Sequence, residues 1–273
     1  MGDRKICRKR PFKIALEIKE DGFISPPDPA QKDWVITRAI EELADDLLHL
    51  DQASKRFVEG SKRKQIQEEW ARSQAKYEDS QLIIDGQQVM QNWERPYMEA
   101  MARAATETHG DVLEVGFGMG ISASYIQAFG VKSHTIIECN EDVKKQFEAW
   151  RVKYPGRKIS LAFGKWQDVI DKLPTFDSIF FDTYPLSEEE FMKYVIKDVT
   201  FAAHFFEAAV RHLRKGGVFT YYSSEIDSVS RRHQRRLFEY FESVTFSVVH
   251  PLFPPKDCQY WWADSMVLVQ AIK

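Results

Sequence analysis

Cysteine is scarce in this chain. Cys7, Cys139 and Cys258 are the only three, too far apart for a metal-binding pair or a disulfide framework. The seven histidines show no His-x-x-x-His spacing, so no bound metal is expected. No apolar run reaches membrane-spanning length and no secretory leader opens the sequence; no membrane contact and a cytoplasmic location are expected. An excess of charge of one sign is also missing: the formal net charge is −3, which gives no electrostatic drive toward nucleic acid. The basic clusters Arg8-Lys9-Arg10, Lys62-Arg63-Lys64 and Arg231-Arg232 lie at a terminus or among carboxylates and read as solvated faces. Internal repeats and low-complexity segments are absent as well.

Core material is abundant. Of 273 residues, 44% are hydrophobic and 13% aromatic, enough for one full α/β domain and an appendage. The organising stretch is Asp111-Val-Leu-Glu-Val-Gly-Phe-Gly-Met-Gly-Ile-Ser122. An apolar run of strand length meets Gly116, Gly118 and Gly120, and an amphipathic segment, Ile121 to Phe129, follows. Strand, glycine turn and helix in that order make a nucleotide-cofactor loop, because glycines let backbone and ligand approach closely. Roughly 20 residues on, His134-Thr-Ile-Ile-Glu138 ends a second strand in a carboxylate, the place where a ribose is held. A dinucleotide fingerprint would need Gly or Ala where Ile121 stands. The loop instead has the form of S-adenosylmethionine-dependent methyltransferases, and the acidic Glu114 suits a cationic sulfonium better than a pyrophosphate.

Three regions follow from the patterning. Residues 1–60 read as a strand-and-helix extension: Phe12–Ile18 alternates, Glu20-Asp-Gly22 signals a hairpin, and Ile36, Ile40, Leu43 and Leu47 line one face of a helix over 30–57. That face is expected to pack on the catalytic domain or to form a homodimer. Residues 61–109 read as a helical lid over the active site, and residues 110–273 as the methyltransferase domain. Strands are expected at 111–115, 134–138, 158–163, 176–182, 218–222, 244–250 and 266–272, with helices at 187–214 and 230–242. Strands alternating with helices predict a Rossmann-like, doubly wound and mostly parallel seven-stranded sheet, and the last two strands an antiparallel edge hairpin.

In such a sheet, ligands bind at the carboxyl ends of the strands, where Glu114, Glu138 and Asp182 all arrive. Asp182 is followed by Thr183-Tyr184-Pro185, a sequence suited to gripping a planar amino group. Ser187 is the better-placed cap for the next helix, which leaves Asp182 free for chemistry. Met90, Trp93, Tyr97 and Met98 are equally explained as one packed helix face. Glu94 among them is not, because a carboxylate in so apolar a stretch is costly to desolvate unless it meets a cation.

These motifs resemble the guanidinoacetate N-methyltransferase family from about Trp70 onward. The resemblance is carried by Val89-Met90 with Trp93-Glu94-x-Pro96-Tyr97-Met98, Leu113-Glu-Val-Gly-Phe-Gly-Met119, Ile136-Ile-Glu-Cys-Asn140, Gly164-x-Trp166-x-Asp168-Val169, Asp182-Thr-Tyr-Pro-Leu-Ser-Glu-Glu189 and Pro255-x-Asp257-Cys258-x-Tyr260. It implies a site for S-adenosylmethionine, released as S-adenosylhomocysteine, at Trp70, Met90, Met98, Glu114, Gly116, Phe117, Gly118, Gly120, Glu138, Cys139, Asn140, Trp166 and Gln167. Gln167 stands where the family has Glu. The resemblance also implies that Glu94 and Asp182 clamp the guanidino group of a small molecule, with Tyr184 beside them. Ser224 and Glu225 align with the pair that binds the acceptor's far end. A carboxylate at 225 would repel guanidinoacetate, so arginine, agmatine or a related guanidino metabolite is the expected acceptor. Two other readings stay open: a relative of the type IV protein-arginine methyltransferases, and a scaffold that binds the cofactor without turnover.

Overall fold

The computed structural model describes residues 17–18, 24–25, 65–66 and 70–273. The chain divides into two compact units, residues 1–53 and 54–273. In the first, β1 (Glu17–Ile18) pairs antiparallel with β2 (Ile24–Ser25), as the Glu20-Asp-Gly22 turn predicts. The helix expected over 30–57 lies outside the described residues.

The second unit opens with a finding that the sequence reading missed. The segment expected to be a helical lid contains a three-stranded antiparallel sheet: β3 (Ala75–Tyr77), β4 (Gln81–Ile84) and β5 (Gln87–Gln91). Asp85-Gly86 joins β4 to β5 with positive φ at both residues (51° and 70°), the two-residue turn whose twist matches that of a hairpin. Along β4, Leu82 and Ile84 are buried while Gln81 and Ile83 are half-exposed, the period-two pattern of a strand. A single helical turn, Asn92–Glu94, then leads into α1 (Arg95–Ala105) with Pro96 near its start. Met90 therefore sits on a strand, and the single-helix-face explanation for Met90, Trp93, Tyr97 and Met98 fails at its first member.

The catalytic sheet follows the expected order of elements. β6 (Asp111–Val115), α2 (Ile121–Phe129), β7 (Ser133–Glu138), α3 (Glu141–Arg151), β8 (Ile159–Phe163), α4 (Trp166–Val169) and β9 (Phe176–Phe181) alternate. The long helix expected over 187–214 is instead broken into α5 (Glu188–Glu190), a π-turn (Phe191–Ile196), a 3₁₀ segment (Phe201–Phe205) and α6 (Phe206–His212). Thr200 is extended (φ −157°), and an extended residue interrupts the helical hydrogen-bond ladder. β10 (Leu213–Tyr221), α7 (Arg231–Phe238), β11 (Ser243–Val249) and β12 (Met266–Ile272) complete the chain.

The seven strands lie in the order β11-β12-β10-β9-β6-β7-β8. The five from β10 to β8 run parallel, and β12 pairs antiparallel with both β10 and β11. One face packs Val112, Ile136 and Phe180 under Met98, Met101, Ile126 and Phe147. The other packs Leu113, Ile179, Phe181 and Phe219 under Phe205, Phe206 and Leu237. The order reverses between β6 and β9, and a crevice at that switch is where an open α/β sheet binds its ligand. No described helix is long and apolar enough to cross a membrane.

Candidate active site

The glycine turn is built against the end of β9. A Cβ on Gly116 would fall 2.0 Å from the Asp182 carbonyl oxygen, and Gly116 has φ +94°, so the loop needs glycine there on two counts. Gly120 is confined in the same way, with the Phe117 ring 2.7 Å from where its Cβ would be. Gly118 takes positive φ with Met90 Sδ 3.2 Å from the added Cβ, which brings β5 down onto the loop. Tyr77 reinforces that contact by donating to the Gly118 carbonyl at 2.9 Å.

Glu138 ends β7 as a fixed acceptor. Its Oε1 accepts from the backbone N–H groups of Cys139 (2.7 Å) and Asn140 (2.9 Å), and its Oε2 from Phe117 (3.1 Å). Burial nevertheless raises its pKa, while those N–H bonds work against the rise. Asn140 caps α3, accepting from Asp142 at 2.9 Å and Val143 at 3.2 Å. Its Nδ2 donates to the carbonyls of Trp70 (2.9 Å) and Ser73 (2.8 Å), tying the segment ahead of β3 to the sheet. Trp70 is buried and stacks on Tyr184 with ring centroids 5.0 Å apart.

A cleft at this end of the sheet is lined by Gly116, Glu138, Cys139, Trp166, Tyr184 and Phe201, with Lys165 and Glu190 also on its wall. A held carboxylate between aromatic and apolar walls fits the ribose and ring of an adenosine. The structure departs from the predicted cofactor residues at two points. Glu114 is fully buried and its carboxylate is engaged: Ser122 donates to Oε1, and His134 Nε2 lies 2.9 Å from Oε2. Glu114 thus anchors the turn into α2. Gln167 is exposed and its amide reaches Glu190 at 3.4 Å, whereas Glu190 itself lines the cleft and accepts from Leu186 N–H at 2.8 Å. Lys165, Glu190 and Phe201 were missed; Lys165 adjoins a predicted residue, but nothing local marks Phe201, which comes from the broken helical region.

Beside the cleft stand Glu94 and Asp182. Glu94 is only 2% exposed, and its Oε1 accepts from Gln91 N–H at 2.7 Å and from the Tyr260 hydroxyl at 2.5 Å. Burial, with the Asp182 charge adding to it, pushes Glu94 up to about 8 against the opposing pull of those two donors. Burial also pushes Asp182 up to about 7, with the charge of Glu114 adding to it. The Asp182 N–H bonds the Val115 carbonyl at 3.0 Å, and its side chain takes no hydrogen bond among the described residues. Neither carboxylate has a Lys or Arg partner there. Ser187, as expected, caps the next helix by accepting from Glu190 N–H at 3.2 Å.

The acceptor end differs from expectation. Glu225 is 1% exposed and its Oε1 lies 3.2 Å from His233 Nδ1, while His233 Nε2 meets the Tyr221 hydroxyl at 2.6 Å. Tyr221 belongs to the core on the α6–α7 face, and Phe180 and Tyr222 to the opposite one. Glu94, Asp182, Tyr97 and Cys258 act electrostatically on Tyr222, whereas Tyr97 and Glu225 act on Tyr221. The Glu225 carboxylate thus has His233 of α7 within hydrogen-bonding distance of its Oε1. Ser224, next to it, takes positive φ (56°) in the turn after β10. No cluster of metal-ligating side chains occurs among the described residues.

Known proteins agree with this architecture. Residues 56–273 match the family described as guanidinoacetate N-methyltransferase. Protein arginine N-methyltransferase 2 of Aspergillus fumigatus is 33% identical over 128 residues, 44% of this chain and 30% of that protein. The Saccharomyces cerevisiae protein of that name is 32% identical over 135 residues, 43% of this chain and 31% of its own length. The chain thus spans about a third of these relatives. A spermidine synthase structure in complex with the transition-state analogue AdoDATO superimposes with a TM-score of 0.52 at 15% identity, covering 73% of this chain and 72% of that one, which speaks for the fold alone. With a matching family over four-fifths of its length and the glycine loop, the Glu138 carboxylate at the end of β7 and the sheet order in place, the chain belongs to the guanidinoacetate N-methyltransferase family of S-adenosylmethionine-dependent N-methyltransferases.

Proposed function

We propose that this enzyme methylates a guanidino nitrogen, and that Glu94 and Asp182 hold the group. The observation carrying this reading is a buried Glu94 and a half-buried Asp182, raised to about 8 and about 7, with no Lys or Arg partner among the described residues. Two such groups ionise together near neutral pH only when a cation joins them. A guanidinium is flat, cationic and bears its N–H groups in a fork that matches carboxylates.

The two carboxylates are not equivalent. Glu94 is fixed from behind by Gln91 and Tyr260, which suits it to hold and orient the acceptor. Asp182 has no such donors and suits proton acceptance. Bound at the Glu138 end of the cleft, S-adenosylmethionine supplies an electrophilic methyl group. A guanidinium keeps its protons up to a pKa above about 12, so removing one before attack is unfavourable. Asp182 takes the proton as the nitrogen loses its share of the delocalised system and its new bond forms.

The acceptor is a small guanidino compound on this reading. With Glu225 bonded to His233, the repulsion expected against guanidinoacetate is weakened, and acceptors with anionic and with cationic far ends are both to be tested. A second reading, a protein arginine as acceptor, is favoured by the names of the fungal relatives. Mass spectrometry with guanidinoacetate, arginine, agmatine and an arginine-rich protein separates these, because each product gains one methyl mass. Glu94→Gln and Asp182→Asn should keep cofactor affinity and lose roughly 10²–10⁴-fold in rate. Full activity in both would end the clamp reading.

A further inference from the structure

Tyr222 is the residue after β10, and it is not explained by anything above. Tyr221 pairs in register with Phe181 of the neighbouring parallel strand, and the Tyr222 N–H bonds the Phe181 carbonyl at 3.1 Å. Tyr222 and Asp182 are thus side-by-side continuations of adjacent strands, whose backbones run about 5 Å apart. Alternation along a strand puts both on the face of Phe180, where Tyr222 packs. The Tyr97 ring stands edge-on to the Tyr222 ring with centroids 5.4 Å apart and fixes its plane.

The hydroxyl at the end of this fixed ring is enclosed, and it has no hydrogen-bond partner among the described residues. A buried hydroxyl without a partner is destabilising, and such a group in a native core calls for a reason. Its surroundings supply one, since the two carboxylates Glu94 and Asp182 are among the groups that bear on it, with Tyr97 and Cys258. Those charges and burial hold the phenol far above its usual range, so it stays protonated.

We propose that the Tyr222 hydroxyl is a third hydrogen-bonding group for the acceptor, taking a guanidino N–H that the Glu94 and Asp182 carboxylates leave unmet. The inference rests on the guanidino reading. A guanidinium presents five N–H donors. Glu94 Oε1 already accepts from Gln91 and Tyr260, which reduces what the two carboxylates can take. The phenol oxygen accepts one N–H, and its own proton turns to a carboxylate oxygen of the clamp. Tyr222 is thereby a specificity-determining residue: an acceptor with fewer N–H groups, such as a simple primary amine, leaves the hydroxyl unpartnered.

The test is Tyr222→Phe in the full chain, which keeps the ring against Tyr97 and removes one oxygen. The expected result is a rise in acceptor KM of about tenfold, with kcat changed less and S-adenosylmethionine affinity by calorimetry unchanged. The thermal midpoint should hold or rise, because a buried group without a partner has been removed. An acceptor KM within twofold of wild type, or a lower midpoint with parallel loss of cofactor affinity, overturns the inference. The wild-type control separates the two readings. Turnover of a guanidine with an unchanged KM in the variant counts against Tyr222 alone; no turnover of any guanidine counts against the clamp as well.

Discussion

The Tyr260 hydroxyl donates to Glu94 Oε1 across 2.5 Å, joining a loop between the last two strands to the turn that begins α1. These residues are 166 positions apart, and their bond helps orient the carboxylate and opposes the rise in its pKa that burial imposes. Tyr260→Phe removes a donor that holds Glu94 down, so the Glu94 pKa should climb further. The rate profile should shift toward alkaline pH, with about a tenfold loss at pH 7 that shrinks at pH 9. A uniform loss at all pH values would mean that Tyr260 acts through packing alone.

The raised pair has a consequence for stability. Glu94 and Asp182 titrate at about 8 and about 7 in the folded protein, against 4.5 and 3.8 when unperturbed. Between those ranges the folded state binds more protons than the unfolded one, so stability falls as pH rises from about 4 to about 8. Glu94→Gln with Asp182→Asn should flatten this slope and give a higher thermal midpoint at pH 8 than wild type. Thermal melts across pH 5–9 read this directly.

The same protons report on binding. A guanidinium entering the clamp favours both ionised forms, so binding near pH 6 should release protons and binding near pH 9 should release almost none. Calorimetric titration in two buffers of different ionisation enthalpy measures the number released. Buffer-independent heats at pH 6 would place the cation elsewhere.

Gly116→Ala should be among the most damaging changes. Its Cβ would meet the Asp182 carbonyl at 2.0 Å, in a backbone conformation that alanine resists. About 2 kcal/mol or more of stability should be lost, along with cofactor binding, because loop and carboxylate share one contact. Melting temperature and calorimetry both check it.

Glu225→Gln tests the commitment of Glu225 to His233. Weakening a buried pair should cost about 1–3 kcal/mol in stability. The ratio of activity on guanidinoacetate to that on agmatine should stay constant. A shift of that ratio toward guanidinoacetate would show that the carboxylate does face the acceptor.

Where the sequence reading succeeded, local signals sufficed. The glycine loop, Glu138 at the end of its strand and the alternation of strands with helices are short-range patterns, and period and turn chemistry fix them. Asp85-Gly86 is equally local, a hairpin signal between Leu82-Ile-Ile84 and Val89-Met90, yet the helical lid expected over 61–109 passes over it. The bond of Glu225 to His233 is not legible in the sequence for a different reason. Alignment by position says where a residue stands along the chain but not which face of the sheet it turns to, and His233 decides that from α7.

By itself, the amino-acid sequence determined that this chain forms a mostly parallel sheet with a nucleoside-binding loop, and that Glu94 carries unusual cost while Asp182 ends its strand uncommitted to a helix cap. Only the tertiary structure decided which carboxylates stay available. Glu114 and Glu225 lie 2.9 Å and 3.2 Å from the rings of His134 and His233, whereas buried Glu94 and half-buried Asp182 have no Lys or Arg beside them among the described residues. The reason is physical: the reactivity of a carboxylate is set by burial and by the partners within hydrogen-bonding reach, and those come from strands and helices far away along the chain.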